Sequence, residues 1–138
     1  MLNSPKHKLK ISPGGSDRLS LDQIDITDQL ARRIFRRPNY RQENEALRDV
    51  AHGLAQSPET ILKKLAEKAQ TLCEADSTGV SLPDIEQGQE IFRWDAVAGQ
   101  AAPFLLGTIQ KYFSPCSVAL DRKTVQLLYQ PIRHFEKM

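Results

Sequence analysis

The feature that most constrains the fold is an amphipathic segment near the middle of the chain, at residues 58–74. It starts with Ser57-Pro58-Glu59, which supplies a helix N-cap, a proline at the first helical position and an acid in the first turn. The apolar residues that then recur at helical spacing on one face are Ile61, Leu62, Leu65, Ala69, Leu72 and Cys73. Such a face is buried against a second layer, so the sequence predicts a layered fold around this helix.

Two further helices are predicted before it. Over residues 40–55, apolar side chains at i, i+3, i+4 and i+7 form an amphipathic face: Leu47, Val50, Ala51 and Leu54. Over residues 20–37, Ser20 is a candidate N-cap, acids occupy the first turns and arginines the last turns, which complements the helix dipole. Pro38 is expected to end that helix.

After Cys73 the pattern changes to that of β-strands. Residues 78–82 form a short apolar run that Pro83 is expected to end, and Gln87-Gly88-Gln89 is typical of a turn. Residues 90–98 alternate, which places the following side chains on one face: Phe92, Trp94, Ala96 and Ala98. The two strands predict a β-hairpin.

The remainder is less regular. Residues 101–111 are ambiguous, residues 113–116 contain a proline and are interpreted as a loop, and residues 125–128 are a candidate short strand. Amphipathic helices over a hairpin and one more strand make an α+β fold, an antiparallel sheet flanked by helices. The sheet needs further strands, so we expect an incomplete domain.

Composition excludes several classes of protein. The 138 residues are 40% hydrophobic and 26% charged, which is close to the globular norm, with 19 Lys and Arg against 17 Asp and Glu. This balance argues against a dedicated nucleic-acid binder. Two cysteines are too few for a disulfide framework and suggest a reducing, cytoplasmic location. No apolar run approaches the roughly 20 residues that span a bilayer, so membrane insertion is not expected.

The positive charge is concentrated at the start of the chain. Residues 1–39 contain eight basic and four acidic residues, whereas the body is mildly acidic. Residues 1–19 are rich in Pro, Gly and Ser and are interpreted as a disordered leader. The arginine run at residues 32–37 is interpreted as the solvated end of a helix, with contact to nucleic acid or anionic lipid as the alternative.

From Tyr40 onward the chain resembles the GAF domain, and more narrowly the GAF domains of bacterial sensor histidine kinases. The residues that carry the resemblance are Tyr40, Glu43-Asn44, Ala46-Leu47, Ser57-Pro58, Ile61-Leu62, Cys73, Ala75-Asp76-Ser77, Gly79-Val80-Ser81-Leu82, Trp94, Ala96, Gly99, Gly107-Thr108, Phe113-Ser114-Pro115-Cys116 and Leu120-Asp121-Arg122. The preceding arm, with Pro38-Asn39-Tyr40, resembles the lead-in helix of that subgroup. The match covers about two-thirds of the chain, and Ser117 stands where the subgroup usually has glycine.

The resemblance implies a division into a leader at residues 1–19, a helix or linker at residues 20–38, and a partial GAF-like domain at residues 39–138. It implies a non-catalytic sensory module that binds a small ligand in a cleft of the sheet. The N-terminal helices would mediate homodimerisation or coupling to a kinase or other output domain. The chain is expected to stop before the further strands and closing helix of a complete GAF domain.

The candidate ligand-binding residues are Trp94, Phe113, Cys116 and Leu120. Trp94 either packs under the helix at residues 58–74 or lines the cleft. Cys116 is interpreted as an inert, half-buried thiol, with a redox role as the alternative. The three histidines are scattered, and no metal site, cofactor or catalytic constellation is predicted. The competing hypothesis is a ligand-free interaction protein that docks a partner through its helices and its exposed sheet edge.

Overall fold

A computed structural model describes residues 18–135 of the chain. Almost all of the predicted leader, residues 1–19, lies outside these residues. The helices and strands are α1 (Leu21–Ile24), α2 (Tyr40–Gln56), α3 (Ile61–Cys73), β1 (Ser77–Glu86), β2 (Gln89–Gly99), β3 (Thr108–Gln110) and α4 (Pro115–Arg122). Short 3₁₀ turns lie at Thr27–Arg32, Pro58–Thr60, Ala102–Phe104, Lys111–Phe113 and Pro131–Arg133. The strands form an antiparallel sheet in the order β1-β2-β3, so the predicted α+β class is confirmed at this level.

The two central helices begin and end close to their predicted limits. Asn39 caps α2, because its side chain accepts a hydrogen bond from the backbone N–H of Gln42 at 3.2 Å. A single 3₁₀ turn that starts at Pro58 leads into α3. The chain leaves α3 at Glu74, whose φ of 50° is left-handed and ends the helical hydrogen-bond pattern.

The helix α3 covers one face of the sheet through very small side chains. The buried cluster there consists of Ala66, Ala96 and Ala98, with Leu62 and Val80 packed against it. Alanines let the helix approach the strands closely, and the Thr78 hydroxyl donates to the backbone carbonyl of Ala66 at 2.5 Å. The interface is centred on Ala66. Leu65 and Cys73, which were predicted to lie on the buried face, are exposed.

The predicted hairpin is present, but its first strand is longer than expected. Gln87 and Gly88 form a two-residue turn with φ values of 50° and 78°. The prediction that Pro83 ends the strand is wrong, since β1 continues to Glu86. In an antiparallel hairpin with a two-residue turn, hydrogen-bonded and non-hydrogen-bonded residue pairs alternate, and the pair next to the turn is hydrogen-bonded. Counted from Glu86 and Gln89, Pro83 and Phe92 form a non-hydrogen-bonded pair. The missing N–H of Pro83 therefore faces the free edge of the sheet, where it breaks no bond.

The long N-terminal helix predicted over residues 20–37 is wrong. Only α1 and the turn at Thr27–Arg32 are helical, and residues 33–39 have no regular secondary structure. The cause is a tertiary pairing with the C-terminal part of the chain: Ile26 N donates to Leu127 O at 2.9 Å, and Tyr129 N donates to Ile24 O at 2.8 Å. These bonds occupy backbone groups that a continuous helix would use. Residues 125–128, predicted as a strand, contribute one isolated bridge, between Asp25 and Leu128.

An ion pair reinforces this contact between the two ends. Arg122, at the end of α4, donates to Asp25 at 2.5 Å. Asp25 also accepts hydrogen bonds from Thr27, including one from its backbone N–H at 2.9 Å. The bonds from Thr27, followed by those from Arg122, lower the pKa of Asp25 to about 2. Ile24 beside it is completely buried.

We expect Asp25→Asn to lower the free energy of unfolding at pH 7 by about 1–2 kcal/mol. The folded state has the lower pKa, so the stabilisation is present above the usual value of 3.8 and is lost as the pH falls toward about 2. Urea unfolding of both proteins between pH 7 and pH 2.5 measures this. Asp121→Asn, which alters an exposed carboxylate beside Arg122, is the control. An equal loss of stability in the control, or a pH-independent difference for Asp25→Asn, would contradict the prediction.

Candidate functional site

The candidate site lies on the sheet face opposite α3, and a β-bulge determines which residues reach it. Val80 pairs with Ala96, whereas the next residue, Ser81, pairs with Trp94, so Asp95 is an extra residue in β2. Because side chains alternate along a strand, the extra residue places Trp94 and Ala96 on opposite faces. The prediction that Phe92, Trp94, Ala96 and Ala98 share one face is therefore wrong.

The bulge is held by charged side chains. Arg93 Nε donates to Asp95 Oδ1 at 2.8 Å, and the same guanidinium contacts Asp84 across the hairpin on β1. The hydrogen bond and charge of Asp95, with a smaller contribution from Asp84, raise the pKa of Arg93. The extra residue thus has a charge partner on its own strand, and the contact of Arg93 with Asp84 on β1 favours this register of the hairpin over its neighbours.

The indole of Trp94 lies against the backbone of β1 at Gly79. A Cβ atom at Gly79 would come within 2.6 Å of Trp94 Cζ3 and 2.8 Å of Cε3. On its other side, the Trp94 backbone donates to Gly107 O at 3.0 Å and accepts from Leu106 N at 2.8 Å. Trp94 is therefore fixed by β1 and by the segment that follows β2. This decides between the two predicted positions of Trp94: it does not pack under α3.

The second wall of the site is α4, where the sequence predicted a loop at residues 113–116. Pro115 occupies the first helical position, and the Ser114 hydroxyl accepts a hydrogen bond from Cys116 N at 3.2 Å. Ser114 is buried, and Ser117 Oγ donates to its carbonyl at 2.7 Å. Ser114-Pro115 repeats the cap-and-proline signal of Ser57-Pro58, so this signal could have identified α4. The run of apolar residues after it is too short for helical periodicity to be apparent.

Between β1, β2 and α4 lies an open groove of about 730 Å³. The residues that line this main groove are Ser77, Thr78, Gly79, Val80, Ser81, Pro83, Phe92, Trp94, Ala101, Cys116, Ala119 and Leu120. None of them is charged. Three of the four predicted ligand-binding residues, Trp94, Cys116 and Leu120, meet here. The fourth, Phe113, is half-buried on the turn before α4 and does not line the groove.

One polar group in the main groove lacks a partner. Within residues 18–135, the Ser81 hydroxyl is the one buried side-chain oxygen or nitrogen atom that makes no hydrogen bond. An unpaired buried hydroxyl costs free energy, and a bound polar atom would relieve that cost. The groove thus combines apolar walls with one unpaired, buried hydroxyl, a combination typical of sites for small and mostly apolar molecules.

A second groove, of about 530 Å³, shares Trp94 and Ala101 with the first. Its other walls come largely from segments that sequence reasoning left unassigned, including Phe104 and Ile132. No periodicity marks these residues, because they lie in turns. The indole of Trp94 therefore borders two apolar spaces.

Both cysteines are free thiols, and one of them lies at the main groove. Cys116 is a free, half-buried thiol at the main groove, and Cys73 is a free thiol exposed at the end of α3. In the part of the chain that the structure describes, no group of three or more His, Cys, Asp or Glu side chains is arranged to hold a metal ion. No helix among these residues is long and apolar enough to cross a bilayer.

The chain matches no protein-family model, and comparison with curated proteins and with solved structures gave no significant match. The resemblance to GAF domains therefore remains an inference from the sequence motifs.

Replacing Gly79 with alanine tests the packing of Trp94. We expect Gly79→Ala to displace the indole, lower stability by about 1–3 kcal/mol and shift the emission of Trp94, the only tryptophan in the chain. The control is Gly53→Ala in α2, where the new Cβ meets only the flexible side chain of Lys64 and alanine favours the helix. Unchanged emission and stability in Gly79→Ala would show that the indole does not lie on β1.

Proposed function

We propose that this chain is a non-catalytic sensory or regulatory module that binds a small ligand in the main groove. The observation that carries the proposal is the uncharged groove between the sheet and α4, with Trp94 at its wall and an unpaired hydroxyl at Ser81. Clefts of this size with apolar walls and few polar groups are the usual form of small-molecule sites.

The lining residues favour one class of ligand. Without a charged side chain on the wall, an ionic ligand would lose its hydration and gain no counter-charge. An aromatic or aliphatic molecule would pack against Trp94 and Leu120, and one polar atom would pair with Ser81. We therefore infer an uncharged, mostly apolar ligand with a single hydrogen-bonding group.

The resemblance to GAF domains of sensor histidine kinases supplies the biological context of the proposal. In that context the module is cytoplasmic, and occupancy of the groove is transmitted through the N-terminal helices to a kinase or other output domain. The absence of an acid–base or metal constellation among the groove residues agrees with a role in binding, and we propose no reaction.

The ligand proposal is tested by screening uncharged apolar metabolites for a change in Trp94 emission and in melting temperature. For a compound that binds, Ser81→Ala should weaken binding about fivefold to tenfold without destabilising the free protein, because it removes an unpaired hydroxyl. Leu120→Asp should weaken binding more strongly.

The matched control for Leu120→Asp is Leu65→Asp on α3, where a leucine of similar exposure lies on the opposite side of the sheet from the groove. Binding that is reduced equally by both substitutions, or that is unaffected by both groove variants, would place the ligand elsewhere and contradict the proposal.

A second candidate function, protein–protein interaction, is favoured by one specific observation. The apolar stripe of α2 does not face the molecule: Leu47 and Leu54 are 67% and 55% exposed, while α2 contacts α3 through the small residues Ala46 and Gly53. Tyr40, Leu47 and Leu54 recur every seven residues. Val50 occupies the second seam position between the two leucines, where the preceding heptad has Glu43, and this pattern resembles the repeat of a two-helix coiled-coil seam. We propose that this seam forms a homodimer.

The other docking route suggested by the sequence, strand addition at the free edge of β1, is opposed by the structure of that edge. Pro83 offers no N–H there, and Asp84 and Glu86 add negative charge beside it. Proline and charges at an edge strand are features that discourage further pairing. The helix seam is therefore the better candidate for an interface.

Light scattering coupled to size-exclusion chromatography tests the seam. We expect a dimer that the double substitution Leu47→Glu and Leu54→Glu converts to a folded monomer, because like charges would meet at the buried seam. The control is Tyr112→Glu, at an exposed apolar residue away from α2. A wild-type monomer at high protein concentration, or a dimer that survives the double substitution, would overturn this proposal.

A further inference from the structure

A continuous stretch of the chain, from the end of the 3₁₀ turn at Thr27–Arg32 to α2, is exposed. Every residue from 31 to 39 is exposed, and residues 34–39 have no assigned secondary structure. The sequence of this arginine segment, residues 31–39, is Ala-Arg-Arg-Ile-Phe-Arg-Arg-Pro-Asn. The interpretation of these arginines as the end of a long helix is therefore wrong.

The arginine segment carries four positive charges and no acid. Arg32 and Arg36 have ion-pair partners in Asp28, at 3.7 Å, and Glu74, and both guanidinium groups remain exposed. Among the described residues, Arg33 and Arg37 have no carboxylate within ion-pair distance. Exposed pairs of this kind exchange readily with other anions, so the whole segment is available to a negatively charged surface.

Two large apolar side chains lie between the arginine pairs. Ile34 is 98% exposed and Phe35 is 90% exposed, whereas Ile24, ten residues earlier, is completely buried. A single exposed apolar residue needs no explanation, but two adjacent residues that contact almost nothing are costly in water. The chain thus presents an apolar pair with two arginines on either side.

We propose that the arginine segment binds the surface of an anionic phospholipid bilayer. Ile34 and Phe35 enter the boundary between headgroups and acyl chains, and the four arginines contact lipid phosphates. Within the described chain, residues 34–38 make no backbone–backbone hydrogen bond, so their backbone stays in the hydrated headgroup region, where water satisfies its polar groups. The contact is peripheral, and it does not depend on the main groove or on its ligand.

The alternative polyanion is a single-stranded nucleic acid, and the apolar pair argues for lipid. Aromatic rings that stack on bases strengthen the binding of single-stranded nucleic acids, and Phe35 has such a ring. Ile34 has none, and its exposed aliphatic side chain gains nothing from stacking. Both side chains gain from transfer into a lipid interface, so a bilayer explains both residues and the arginines together.

The test is co-sedimentation of the full chain with vesicles of phosphatidylcholine alone and of phosphatidylcholine containing about one third phosphatidylserine. We expect binding only to the anionic vesicles, with affinity falling as salt is raised. Arg33→Gln with Arg37→Gln should weaken binding about 30-fold, and Ile34→Ser with Phe35→Ser about tenfold or more. The segment is exposed, so circular dichroism should show that these variants fold normally.

The charge-matched control is Arg48→Gln with Lys123→Gln, which removes two exposed cations elsewhere and should change binding less than threefold. All variants are compared in the full chain, which keeps the contribution of Lys6, Lys8 and Lys10 constant. Four outcomes would overturn the proposal: no binding to anionic vesicles, equal binding to neutral vesicles, no effect of the Ile34 and Phe35 substitutions, or tighter binding to a single-stranded oligonucleotide than to the anionic vesicles at the same salt concentration.

Discussion

The extra residue in β2 is the constraint on which both sides of the molecule depend. Beyond Asp95, Ala96 and Ala98 face α3 and permit the close approach of helix to sheet. Before it, Phe92 and Trp94 face α4 and form the wall of the main groove. A regular strand would place Trp94 among the alanines, where the space between α3 and the sheet is too narrow for an indole. The helix layer and the groove therefore require the same irregularity.

The parts of the fold that could be predicted from the sequence are those set by local interactions. The limits of α2 and α3 follow from periodicity, from capping by Asn39 and from Pro58, and the hairpin turn follows from Gln87-Gly88. The N-terminal helix was mispredicted because residues 24–26 pair with residues 127–129, about a hundred positions away. No pattern in the local sequence indicates a contact between such distant residues.

The candidate site could likewise be predicted from the sequence only in part. Trp94, Cys116 and Leu120 were chosen from motif resemblance, and the structure brings them to one groove, although the alternation rule had grouped Trp94 with Ala96 and Ala98, which lie on the opposite face. A bulge has no fixed sequence signature, so the face of Trp94 could not be read from the pattern. Phe113 was chosen on the same grounds as Cys116, yet it precedes the buried Ser114 and lies outside the groove.

The pairing of residues 24–26 with residues 127–129 also has a consequence for the order of folding. The layer of α2, α3, β1 and β2 is built from contacts within residues 40–99, whereas α4 is tied through Arg122 to Asp25, near the other end of the described chain. Contacts between distant residues form more slowly than local ones, because a long loop must close first. During synthesis, the helix–sheet layer can assemble while α4 is still absent, so the groove is completed only after that layer.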